Sequence, residues 1–221
     1  KSFSAVGAFT TGQANLTAPD RPRRLNSGIA SAELFKVLGV NAMFGRTFDA
    51  AETRPNGPQV AMLSHEVWQS SFGGRADVLN TPVEINGIRR TIVGIMPPRF
   101  DVADQHVEIW LPLVVNPANR QNRGNHFLYL IGRLADGATL ASAKAELDTL
   151  LEGWPTSIAR AADATRGPHT PDTQNHRLRL DPLQAQIVGS ARTSCQRPSR
   201  RPISRTWSMS SSRPSRRPVA R

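Results

Sequence analysis

Apolar positions along the first two thirds of the chain change spacing several times, and each change marks an element. In Ser31-Ala-Glu-Leu-Phe-Lys-Val-Leu-Gly39, Leu34, Phe35 and Leu38 share one face of a 3.6-residue repeat. Ser31 is placed to accept from the orphan amides of the first turn, and Glu33 suits the positive helix end. Gly39 can take the left-handed conformation that closes a helix. Ser64-His-Glu-Val-Trp-Gln-Ser-Ser-Phe-Gly73 repeats the design, with Trp68 and Phe72 four apart and Gly73-Gly74 at the stop. Both helices are about two turns long and depend on packing against a sheet.

Other runs have strand character. Gln59-Val-Ala-Met-Leu63 is short and apolar, and Val83 to Met96 holds β-branched residues on both sides of Asn86-Gly87. Asn-Gly supplies the two positive φ angles of a type I′ turn, so a hairpin is predicted there. Pro97-Pro98 ends its second strand, since proline has no ladder donor. Glu108 to Val115 reads as a further strand, partly at a sheet edge because of Pro112, and residues 116–125 read as a polar crossing loop. His126 to Leu134 is another strand, turned by Ala135-Asp-Gly137 into the longest helix, from a Thr139 cap to about Leu151. Its stripe of Leu140, Ala143, Leu147, Leu150 and Leu151 must lie on a sheet. Residues 153–175 look like loop, and His176-Arg-Leu-Arg-Leu180 alternates like a half-exposed strand.

Composition alters this picture at one end. Residues 192–221 hold nine arginines, eight serines, four prolines and no acid. They cannot bury enough apolar surface to offset ordering entropy, and a disordered tail is expected. The chain carries 28 Lys and Arg against 17 Asp and Glu, net +11, yet without that tail it is nearly neutral. The basic character belongs to the tail alone. Low hydrophobic and aromatic shares, 38% and 6%, fit a packed body with an unpacked end. Cys195 is the only cysteine, which excludes an intrachain disulfide and a four-thiolate zinc site. No apolar stretch approaches the roughly 18 residues of a membrane span. The best run, Val107 to Val115, contains Glu108 and Pro112. The chain as it stands is therefore expected to be soluble, and its start at Lys1 suggests a segment of a longer product.

Catalytic motifs are missing. There is no G-x-S-x-G, H-E-x-x-H or G-x-x-x-x-G-K-[ST]. Ser64-His65-Glu66 has the letters of a triad, but consecutive helical residues point in different directions. His65, His106, His126, His169 and His176 have no i, i+4 pairing and no neighbouring cysteines, so surface or capping roles are expected. Trp68, Trp110 and Trp154 fall within apolar patterns and read as core. No residue is assigned a catalytic, cofactor-binding or metal-ligating role, and no cofactor is expected. Nine clustered arginines could bind nucleic acid or anionic lipid through counterion release. Without an aromatic platform beyond Trp207 or a reading motif, no specific nucleic acid is expected.

Several pieces stand in an order that resembles one family. These are Ala32-Glu-Leu-Phe-Lys-Val-Leu-Gly-Val40, Phe44-Gly-Arg-Thr-Phe48, Val60-Ala-Met-Leu-Ser64, Trp68-Gln-Ser-Ser-Phe-Gly-Gly74, Ile85-Asn-Gly87, Ile92-Val-Gly-Ile-Met-Pro-Pro98, Ile109-Trp-Leu-Pro112 and Arg133-Leu-Ala-Asp-Gly137. Together they resemble the MacB-like periplasmic core domain of FtsX-type ABC transporter permeases, over about residues 25–190. The resemblance implies an extracytoplasmic α+β domain between the first and second transmembrane helices, on the periplasmic face of a bacterial inner membrane. Its fold would be a split, ferredoxin-like α/β (porter) subdomain with an inserted, mostly β subdomain. Residues 1–191 would be this domain, with about 40–122 as the β-rich insertion. About 126–190 would be the returning strand, helix and strand, and 192–221 the tail. The implied partners are a cytoplasmic ABC ATPase subunit and a second permease copy, with the membrane reached through helices missing here. The function implied is non-enzymatic, coupling ATP hydrolysis on another subunit to movement outside the membrane. Rival readings are a basic-tailed nucleic-acid-binding protein and a small secreted hydrolase. After Leu180-Asp-Pro-Leu-Gln-Ala-Gln-Ile-Val-Gly189 the family runs into its second transmembrane helix, whereas this chain becomes rich in Arg, Ser and Pro. That composition is what a shifted frame in GC-rich coding sequence gives, since CGN, TCN and CCN codons dominate it.

Overall fold

A computed structural model describes residues 1–17, 22–116, 127–153 and 179–183. Its elements are β1 (Phe3–Thr17), β2 (Pro22–Ala30), α1 (Ala32–Leu38), β3 (Phe44–Gly45), β4 (Val60–Leu63), α2 (His65–Phe72), β5 (Pro82–Ile85), β6 (Ile88–Ile95), β7 (Ile109–Pro112), β8 (Tyr129–Leu134) and α3 (Leu140–Glu152). The class is α+β, with one sheet and three α-helices among the described residues.

The sheet closes on itself. Strands follow the order β2, β7, β4, β6, β5, β1, and β1 then pairs with β2 to complete a ring of six. Closure removes free edges from these strands. β8 joins β1 outside the ring, and β3 pairs with β6. One apolar cluster takes residues from all six ring strands: Ala14 and Leu16, Leu25, Leu63, Ile85, Ile92, and Ile109 and Leu111. It is therefore the filling of the barrel, and Val67 and Trp68 of α2 pack against it. A second cluster, on the outside, joins Ala30, Met62, Val93 and Trp110 to Leu34 and Phe35 of α1.

Alternation sorts the strands between the two clusters. Ala61 and Leu63 point inward while Val60 and Met62 point outward, as the two faces of a pleated strand require. In β6 the inward residues are Ile92 and Ile95, three apart, because the pairing with β4 slips between Ala61 and Met62. A bulge of one residue resets the face.

The local signals decode as physical chemistry suggests. Ser64 Oγ accepts from Val67 N at 3.1 Å, and Gly73 ends α2 with φ +62°. Asn86 and Gly87 have φ +53° and +74°, the expected I′ pair, between β5 and β6. A Cβ on Gly87 would meet nothing within 4 Å, so Gly87→Val is expected to act through backbone strain alone. That strain costs on the order of 1–3 kcal/mol. The thermal midpoint should fall by several degrees, and an unchanged midpoint would contradict the turn assignment.

Three expectations need correction. Ser31 makes no cap bond in α1; its Oγ instead accepts from Ala8 N of β1 at 3.1 Å. β7 is not at an edge, since it lies between β2, parallel, and β4, antiparallel. Pro112 is tolerated there because β4 pairs only with Ile109 and Trp110, so that ladder ends before the missing donor. The stripe of α3 is only partly covered: Ala143 is buried and Leu147 and Leu151 are half-buried, while Leu140 and Leu150 are 42% and 61% exposed. Of the loops expected at 116–125 and 153–175, residues 117–125 and 154–175 lie outside the described residues, as do residues 176–178 of the last expected strand and the tail. Arg179 and Leu180 are described and are in no strand.

Candidate functional site

Ser64, His65 and Glu66 do three separate jobs. Ser64 is a buried cap, and His65 packs edge-on against Trp68 with ring centres 5.5 Å apart. Glu66 Oε1 accepts from Arg99 N at 3.0 Å, tying α2 to the segment between β6 and β7. Burial works against the Glu66 charge, yet the Arg99 amide and the nearby His65 hold its carboxyl below the ordinary range. No proton relay runs through these three.

The same segment holds a cluster that spacing alone did not bring together. Asp101, Asp104 and His106 place their donor atoms within 4.8 Å of one another. His106 Nδ1 lies 3.2 Å from Asp101 Oδ2, and Nε2 lies 3.5 Å from Asp104 Oδ1. Asp101 Oδ1 also accepts from the amides of Val102 and His106. These bonds hold a turn in which Ala103, Asp104 and His106 all have positive φ. The cluster shapes the loop that lays Val102 and Val107 on the outer core. A comparable clasp holds the segment after β3. Arg46 makes two bonds, 3.0 and 2.6 Å, to the buried carboxylate of Glu52, which also accepts from Asp49 N.

Two concavities flank α2. An open groove of about 960 Å³ runs between its C-terminal end and β5, lined by Ser70, Ser71, Asp77, Thr81 and Glu84 among others. Arg23 reaches its rim and donates to both serine hydroxyls. A smaller hollow of about 200 Å³ lies among Phe44, Trp68, Leu79 and Ile95. Phe44 sits edge-on to Trp68 at 5.4 Å, and the Trp68 indole donates to Arg75 O at 2.8 Å. Neither concavity brings together a nucleophile, a base and an oxyanion donor. Of the remaining histidines, His126, His169 and His176 lie outside the described residues, as do Trp154 and Cys195.

Apolar residues are also exposed away from these concavities. Tyr129 and Leu130 of β8, Val6 of β1, and Leu140 and Leu150 of α3 are all exposed. Among the described residues no helix is long and apolar enough to cross a membrane.

A barrel fed by one long strand, with a strand–helix return beside it, defines an α+β module. The sequence matches the family model of the MacB-like periplasmic core domain over residues 1–150, and the chain belongs to that family. The family is a component of transporter permeases rather than a class of enzymes. The match begins at residue 1, ahead of the start near residue 25 expected from motifs, and so includes β1 and β2, whose pairing closes the ring. Three solved structures share the fold. The periplasmic region of MacB from Actinobacillus actinomycetemcomitans matches with TM-score 0.55 and 16% identity over 76% of this chain and 79% of that one. The extracellular domain of the noncanonic ABC-type transporter YknZ from Gram-positive bacteria matches with TM-score 0.52 and 14% identity, over 69% and 78%. A domain of a putative permease protein from Porphyromonas gingivalis matches with TM-score 0.52 and 18% identity, over 69% and 70%. A comparison with curated proteins returns no match.

Proposed function

We propose that this chain is the extracytoplasmic domain of an ABC transporter permease and that it acts mechanically, without chemistry of its own. The family match over residues 1–150 carries this reading, and the fold of the transporter domains it resembles supports it. ATP is hydrolysed by a separate cytoplasmic subunit, and a second permease copy completes the assembly. Within residues 1–191, strands β3 to β7 belong to the β-rich insertion of about 40–122. β8 and α3 open the returning unit of about 126–190. The long β1 serves both, which fits its change of partner along its length.

The test is direct. Purified full-length chain is expected to turn over no ATP above background, and to bind unrelated oligonucleotides only weakly, with affinity falling steeply as salt rises. ATP turnover would overturn the mechanical reading. Sequence-selective binding surviving about 0.3 M salt would favour a nucleic-acid-binding protein instead.

A further inference from the structure

β1 is shared by two pieces of sheet with almost no overlap between them. Residues 3–9 pair with β8, and residues 9–17 pair with β2, so Phe9 alone pairs with both, with Tyr129 of β8 and Ala30 of β2. A single strand crossing between two sheet segments with one residue of overlap is where a hinge would form. Here that point is covered by α1. Ser31, its cap residue, donates its amide to Ala8 O at 2.9 Å and accepts from Ala8 N through Oγ at 3.1 Å. Those two bonds replace the ladder that β2 no longer supplies. Gly7 lies so close to α1 that a Cβ would meet Leu34 Cα at 2.4 Å. On the β8 side, Arg133 donates to Val37 O at 2.6 Å, taking up a carbonyl near the end of α1. Phe9 is buried, and Tyr129 stacks on it at 5.3 Å.

We infer that α1 is a brace that locks the joint at Gly7–Phe9, so that β1 is a rigid strut between the β8–α3 side and the barrel. Displacement applied on one side is then delivered to the other without bending at the joint. The brace follows from this chain's own contacts and does not depend on the coupling proposed above.

Pulsed electron–electron distance measurement tests it. Nitroxides are placed at the exposed positions of Ala145→Cys and Arg89→Cys in full-length chain carrying Cys195→Ser. A control pair at Val6→Cys and Ala145→Cys reports movement of α3 on its own sheet. A single narrow distance distribution is expected for both pairs. Removing the two side-chain brace bonds with Ser31→Ala and Arg133→Ala together, or displacing α1 with Gly7→Val, should broaden the first distribution at least twofold and leave the control pair narrow. Near-ultraviolet circular dichroism of the aromatic side chains monitors overall packing, and the double variant keeps the test open if Gly7→Val fails to fold. A broad or bimodal first distribution in the unmodified joint overturns the inference. So do unchanged widths in both brace variants.

Discussion

Trp110→Ala is expected to produce one of the two largest losses of stability in the molecule, about 3–5 kcal/mol. Trp110 is fully buried, and Phe35 and Phe100 stand against it with ring centres 5.4 and 5.9 Å away. Its ring lies on bare backbone, since a Cβ on Gly28 would come within 2.5 Å of it. Truncation therefore opens a void between β2, β7 and α1 that these rigid neighbours cannot fill. For a domain of this size the thermal midpoint should drop by roughly 6–20 °C. The indole N–H of Trp110 has no hydrogen-bond partner, so Trp110→Phe abandons no bond and should cost less than half as much. Equal losses for the two variants, or a loss below about 1 kcal/mol for alanine, would show that volume at this position is not what holds the outer core.

Gly45→Val is the second large effect, expected at about 3–5 kcal/mol from left-handed strain and overpacking together. Gly45 has φ +74°, and a Cβ there would meet Val93 O at 2.2 Å. Its cross-strand partner is also a glycine, Gly94, whose Cβ would meet Arg46 O at 2.2 Å. Two backbones thus touch with no side chain between them, and Arg46 N donates to Val93 O at 2.9 Å. A valine must push β3 off β6 and strain the adjoining Arg46–Glu52 clasp. Gly73→Val is the control, because Gly73 has φ +62° but open space around it. Urea unfolding of both variants separates the contributions. If the two lose the same stability, close approach at Gly45 contributes nothing.

These two positions differ in how far they could be read from the chain. Trp110 stands in an apolar run and was recognisable as core, but the contact with Gly28 was not, since it joins strands 82 positions apart. Gly45 falls inside a motif of the family resemblance, yet nothing in the spacing says that its partner is Gly94. The helices α1, α2 and α3 and the Asn86-Gly87 hairpin were legible because caps, left-handed glycines and type I′ turns act over a few residues. β1 was not legible. Its buried residues are Gly7 and Phe9 in the first half and Ala14 and Leu16 in the second, which lie on opposite faces. No single period-two pattern runs through it, because its first half packs against α1 outside the barrel and its second half points inside.

The candidate surfaces divide the same way. That Ser64, His65 and Glu66 point apart followed from helical geometry, and the chain holds none of the familiar hydrolase or phosphate-loop motifs. The cluster of Asp101, Asp104 and His106 did not follow, because three left-handed residues fold the loop back and close spacings that would otherwise diverge. Sequence by itself determined the short-range elements, the lack of familiar catalytic motifs and, through ordered motifs, the family. Tertiary structure alone decided that the sheet closes into a ring, that β7 is interior and that α1 braces a one-residue joint in β1. The physical reason is the range of the forces. Caps and turns are fixed by neighbours along the chain, whereas ring closure and the brace depend on which distant backbones meet. That choice is settled by the summed burial of both apolar faces and not by any one segment's pattern.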